Sequence, residues 1–198
     1  MQDHPFDQAT RLTPIATEGS ITRWAGATHP DYWNMVGPFG GITTATLMQS
    51  LLAHPQCAGE PVSLSLTFAN PIEQGEFEVH TRLVNATRST RHWSVQLLQG
   101  EGKVAVNAIA LFAVRRDTWG APETVMPEVP PPDACELMQS ERFPVAWVRR
   151  YAFRYVRGSI ADVRDGVARA DSISQQWVND VPPRPLDFAS LASLCAVF

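Results

Sequence analysis

Gly37-Pro38-Phe39-Gly40-Gly41 runs directly into a helix-like stretch, Ile42 to Ala53, and a series of strand-like segments follows with no second long helix among them. The stretch is mostly small and apolar and carries no charged residue, so its helix is expected to be buried on most sides. A curved antiparallel sheet wrapped around that helix is the architecture this order predicts, an α+β fold. The Gly-Gly pair ahead of the helix lets another molecule approach the backbone, and the free N–H groups of the first turn can hold an anion or a polarised carbonyl oxygen.

Between Glu60 and Arg116 the apolar residues favour period two, the strand signal: Val62-Leu64-Leu66-Phe68, Phe77-Val79, Trp93-Val95-Leu97 and Val104-Val106, then a more continuous Ala108 to Val114. Turn chemistry at Asn70-Pro71, Gln74-Gly75, Asn85 to Thr90 and Gly100-Glu101-Gly102 separates them. The expected arrangement is an antiparallel meander.

Five prolines between Ala121 and Asp133 block both helix and sheet and mark a linker. The predicted division is residues 1–120, a Pro-rich linker 121–140, and a second part 141–198. In that second part, Trp147 to Val156 and Val167 to Val178 read as strands joined by a turn at Asp165-Gly166. Pro182-Pro183-Arg184-Pro185 then leads into a last helix, Leu186 to Phe198. Strand, strand, helix repeats the first part, where Ser20 to Ala25 and a short second extended piece precede the Gly-Gly helix, so an internal duplication is expected.

With 198 residues, 44% of them hydrophobic, the chain can bury a sizeable core as one long domain or two small ones. A formal net charge of −4 argues against a nucleic-acid partner. No run approaches the roughly 20 apolar residues of a membrane span, and Met1-Gln2-Asp3-His4-Pro5 lacks the marks of a leader, so the cytoplasm is the expected compartment. Cys57, Cys135 and Cys195 are far apart and odd in number, which fits reduced thiols, and neither Cys-x-x-Cys nor His-x-x-x-His spacing occurs to suggest a metal.

His4-Pro5-Phe6-Asp7, Gly37 to Gly41, Leu66-Thr67-Phe68-Ala69-Asn70-Pro71, Arg88-Ser89 and Val95-Gln96-Leu97-Leu98-Gln99 form an ordered set that resembles the acyl-CoA thioesterase II family. Pro185 to Ala196 aligns without a gap with that family's second helix. The resemblance implies a double hot-dog fold, each repeat a long helix wrapped by a curved antiparallel sheet, with the second repeat incomplete here. It implies hydrolysis of an acyl-CoA thioester by direct attack of water, with coenzyme A as part of the substrate and no metal or redox cofactor. It places a catalytic aspartate at position 196, where this chain has Ala196. The Ser or Thr and the Gln that the family draws from later strands lie beyond Phe198. The expected partners are a homo-oligomer or a chain segment completing the second hot-dog.

Gly40 and Gly41 are candidate donors to a developing oxyanion, and equally candidates for close packing; the family keeps its complete catalytic set in the second repeat, which tips them towards packing or substrate positioning. Arg88 and Ser89, in a cationic turn, are candidates for the phosphates of coenzyme A, or form a solvated hairpin tip. Trp33 and Phe39 flank the glycine turn and are placed near an acyl tunnel. Asp187 reads as a cap of the last helix, about two and a half turns from position 196. Arg115-Arg116 and Arg149-Arg150 read as solvated strand ends. A protein that binds acyl-CoA or an acyl carrier without hydrolysis is the alternative, and Ala196 is the feature that favours it. A hot-dog dehydratase ranks last, because no His with a carboxylate partner is identified at the helix.

Overall fold

The computed structural model describes residues 3–121, 123–160, 166 and 168–197. The chain divides into two compact units, one of Met1–Asp117 with Leu186–Phe198 and one of Thr118–Pro185.

The first unit begins with a short helix, α1 (Pro5–Ala9), which the sequence reading did not foresee; His4 caps it by accepting the Phe6 amide. A hairpin of β1 (Thr13–Glu18) and β2 (Ile21–Ala27) follows, then α2 (Gly40–Leu52), β3 (Glu60–Phe68), β4 (Glu76–Ala86), β5 (Thr90–Gln99) and β6 (Lys103–Ala113). The extended piece expected between Ala25 and the glycine turn is a 3-10 turn at Pro30–Tyr32, and the hairpin partner of β2 lies before it, in β1.

All six strands form one antiparallel sheet in the order β1-β2-β4-β5-β6-β3. The meander therefore holds only for β4-β5-β6, and β3 crosses to the far side of β6. Period-two patterning reports which residues face the core, not which strand lies beside which. The crossing is held at its start by the Ala69 amide on the Ala105 carbonyl at 2.8 Å and the Asn70 side chain on the Val104 carbonyl at 2.8 Å.

The inward face of the sheet closes on α2. Phe77, Val79, Trp93, Val95, Leu97, Val106 and Phe112 pack against Leu47, Met48 and Leu51 in one buried cluster. Thr43, Thr44, Thr46 and Ser50 are buried on α2, and each hydroxyl donates back to a carbonyl of its own helix: Thr43 to Phe39, Thr44 to Gly40, Thr46 to Ile42 and Ser50 to Leu47. A helix with so many hydroxyls thereby enters an apolar core without orphaned polar groups.

The terminal helix, α3 (Phe188–Leu194), packs its buried face of Ala189, Ser190 and Ser193 against α2. Asp187 caps it as expected, accepting the Ser190 amide at 2.8 Å. The helix is shorter than the Leu186 to Phe198 read from the sequence, and position 196 lies in the turn after its end.

The second unit holds β7 (Tyr151–Arg157) and β8 (Gln175–Asp180), an antiparallel pair. Trp147 to Arg150, expected as strand, is a 3-10 turn whose Trp147 packs edge-on to Tyr151 and Phe153. Residues 168–174 are not strand either, so β8 begins at Gln175, overlaps only the last third of the segment predicted to end at Val178, and runs on to Asp180; the expected turn residue Asp165 and Val167 itself lie outside the described residues. Among the described residues no helix is long and apolar enough to cross a membrane.

Candidate functional site

The loop into α2 is tight. Trp33 bridges Pro38 in antiparallel fashion, the Asn34 amide donates to the Gly37 carbonyl at 2.7 Å, and the Phe39 amide donates to the Tyr32 carbonyl at 2.8 Å. No side chain caps the helix, so its first-turn amides are presented by backbone alone.

The two glycines differ. A Cβ on Gly40 would meet only the Phe68 ring, at an ordinary 3.5 Å. On Gly41 it would stand 2.3 Å from a Phe39 ring carbon and 2.5 Å from the Ser193 carbonyl oxygen. Gly41 thus lets α3 approach α2 closely. The same Ser193 carbonyl accepts the Ala196 amide at 3.1 Å. One oxygen therefore links the glycine turn to the position where the resembled family carries its aspartate.

Ala196 is exposed at the wall of a groove of about 550 Å³ between β3 and α3. Met48, Leu64, Leu66, Phe68, Leu191 and Ala192 give it an apolar surface, Thr44 and Ser63 add hydroxyls, and Arg115 is its one charged residue. No aspartate, glutamate or histidine lies on this wall. Trp33 and Phe39 are not on it; Phe39 is buried against Gly41, and Trp33 is half-buried in the preceding loop.

Arg88 and Ser89 sit at the tip between β4 and β5, Arg88 exposed and Ser89 half-buried. Thr90 and Glu60 both pair with Ala113, which puts the tip at the end of the sheet where β3 begins, whereas Gly40 stands at Phe68, where β3 ends. Eight residues of strand, about 26 Å, separate the two sets of candidates.

A second, larger groove of about 780 Å³ lies on the outer face of the sheet. Arg23 holds Glu78 bidentately, through Nε at 3.0 Å and Nη2 at 2.9 Å, and His80 Nε2 lies 2.7 Å from the same carboxylate. The hydrogen bond from Arg23, then that from His80, hold the Glu78 carboxyl down at about 2. This cluster is not marked by any motif in the sequence. Its only signal was the polar half of the alternation along β2 and β4, which is also what a solvated sheet face looks like. Among the described residues no group of three or more His, Cys, Asp or Glu side chains is placed to hold a metal ion.

Residues 29–113 match the pattern of the acyl-CoA thioesterase N-terminal domain. A conserved protein of unknown function with a hot-dog fold from Alicyclobacillus acidocaldarius is 37% identical, with a TM-score of 0.85; the match covers all of this chain and 70% of that one. A proposed thioesterase II from Thermobifida fusca (TM-score 0.76) and an acyl-CoA thioesterase II from Mycobacterium marinum (TM-score 0.66) share the fold at 20% identity, over 97% of this chain and 69% and 68% of theirs. No curated protein matches. The chain belongs to the hot-dog fold proteins, and its residues 29–113 carry the pattern of the acyl-CoA thioesterase N-terminal domain.

Proposed function

We propose that the protein binds acyl-CoA thioesters in the groove between β3 and α3 and hydrolyses them by direct attack of water. The observation that carries this reading is the meeting of Gly41, Ser193 and position 196 at one end of an apolar groove. In this reading a first-turn amide of the uncapped α2, that of Gly40, is the donor for a thioester carbonyl, while Gly41 holds the two helices together. In the same reading the protein is an oligomer whose sheet continues at the edge of β3.

Hydrolysis needs a carboxylate to orient the water, and the groove wall carries none. That observation favours a second reading, binding without turnover. Release of the coenzyme A thiol from acyl-CoAs of graded chain length, measured beside their binding, tests both. Ala196→Asp introduces a carboxylate at an exposed position, and under the first reading it raises turnover by about 10²–10⁴-fold. Binding with no thiol release from either protein supports the second reading, and absence of acyl-CoA binding sinks both.

A further inference from the structure

We infer that His54 is a pH-sensitive latch: protonation of its buried ring releases the turn 53–58, between α2 and β3, from the sheet while the sheet itself stays folded. The latch acts whether or not the protein binds acyl-CoA.

The turn is built on this one residue. The His54 amide donates to the Leu51 carbonyl at 3.2 Å, the His54 carbonyl accepts the Cys57 amide at 2.8 Å, and Nδ1 accepts the Gln56 amide at 3.1 Å. Pro55 and Gln56 are exposed, and Cys57 is half-buried beside the core. The His54 ring is buried, with the centroid of the Trp93 ring 4.7 Å away and that of Trp24 6.4 Å away. Its Nε2 lies 2.9 Å from Thr22 Oγ1, which ties the turn to β2. Thr22 Oγ1 in turn meets the hydroxyl of the exposed Thr17 at 3.2 Å, so a chain of hydroxyls leads from the ring to the surface.

The clasp requires a neutral ring. An imidazolium carries a hydrogen on both nitrogens, so Nδ1 would point an N–H at the Gln56 N–H and that bond is lost. The surroundings offer no charge in return. Thr22 and Trp24 from β2 and Trp93 from β5 are uncharged, and burial alone lowers the pKa of the ring. The charged groups beside the turn are Arg91, whose charge acts on Cys57, and Glu60 at the start of β3, which Arg115 holds at 2.7 Å. Burial pushes the Cys57 thiol up, so it stays neutral while His54 titrates.

Two features define what opens. Trp93 Nε1 is buried without a hydrogen-bond partner, and water that enters as His54 withdraws satisfies this donor. Gly59, at φ +81°, lies so close to β6 that a Cβ would stand 2.3 Å from the Ala113 carbonyl carbon, and Glu60 pairs with Ala113 in the ladder. The release therefore ends at Gly59.

The test is amide hydrogen exchange of the full chain from pH 8 to pH 5, corrected for the intrinsic pH dependence of exchange. Protection of the Gln56 and Cys57 amides should fall by up to about tenfold per pH unit below 6.5, while the amides of Val95 and Leu97 in β5 keep theirs. His54→Gln should make the protection of the turn independent of pH. Thr22→Val, which keeps the ring and removes its partner on β2, is the second variant. It should lower the protection of the turn already at pH 8. Protection that stays constant with pH in the wild type overturns the inference, as does a pH dependence that survives in His54→Gln. Loss in step with β5 also overturns it, since protonation is then felt only through global unfolding. So does a Thr22→Val protein as protected at pH 8 as the wild type.

Discussion

The carbonyl oxygen of Ser193 lies 2.5 Å from where a Cβ on Gly41 would stand, so the contact between the two helices exists only because position 41 has no side chain. Gly41→Ala must separate α3 from α2 or move the Phe39 ring, and overpacking of this kind costs about 1–3 kcal/mol. Gly40→Ala meets only Phe68 at 3.5 Å and should change stability by less than about 1 kcal/mol. Urea unfolding of the two variants separates them; equal midpoints would remove the packing role of Gly41.

Which of these features the sequence could announce follows from how local each is. The Gly-Gly entry to α2, the alternation in β3 to β6 and the Asp187 cap are written within a few residues, and each forms where expected. The place of β3 beside β6 and the seating of Ser193 on Gly41 join residues far apart in the chain, and no periodicity encodes them. Arg115 reads as a solvated strand end for the same reason, since only the register shows that a groove ends beside it.

Asp187 accepts the Ser190 amide at 2.8 Å and supplies the cap of a helix only seven residues long. Asp187→Ala should cost about 1 kcal/mol. Because Cys195 and Ala196 follow directly from α3, the variant should also weaken acyl-CoA binding, whereas Asp187→Asn, which keeps an accepting oxygen, should retain most of both. Loss of stability with binding untouched would show that α3 does not shape the groove.

His54 is buried against Trp93, their ring centroids 4.7 Å apart, and burial lowers its pKa. Its Nδ1 accepts the Gln56 amide at 3.1 Å, so the neutral ring carries its proton on Nε2 and donates it to Thr22 Oγ1 at 2.9 Å. The unfolded chain therefore binds a proton more readily than the folded one. The stability this residue contributes is complete above its ordinary value of 6.5 and is lost as pH falls through the lower folded value. The difference in unfolding midpoint between wild type and His54→Gln should shrink from pH 8 towards pH 5; a constant difference would mean that the ring does not titrate with unfolding.

The Glu78 cluster runs on the same principle at lower pH. Its carboxyl, held at about 2 against an ordinary 4.5, gives stability that is complete above 4.5 and lost as pH falls towards 2. The side chain is 36% exposed, so solvent screens much of the interaction and the effect on the unfolding midpoint should be small. Titration of the carboxyl is the sharper readout. Arg23→Ala removes the largest cause of the shift and should bring the Glu78 carboxyl back up, with His80 alone left to hold it below 4.5. His80→Asn should produce a smaller rise. If the two variants ranked the other way, the imidazole and not the guanidinium would be what keeps this carboxylate charged on the outer face of the sheet.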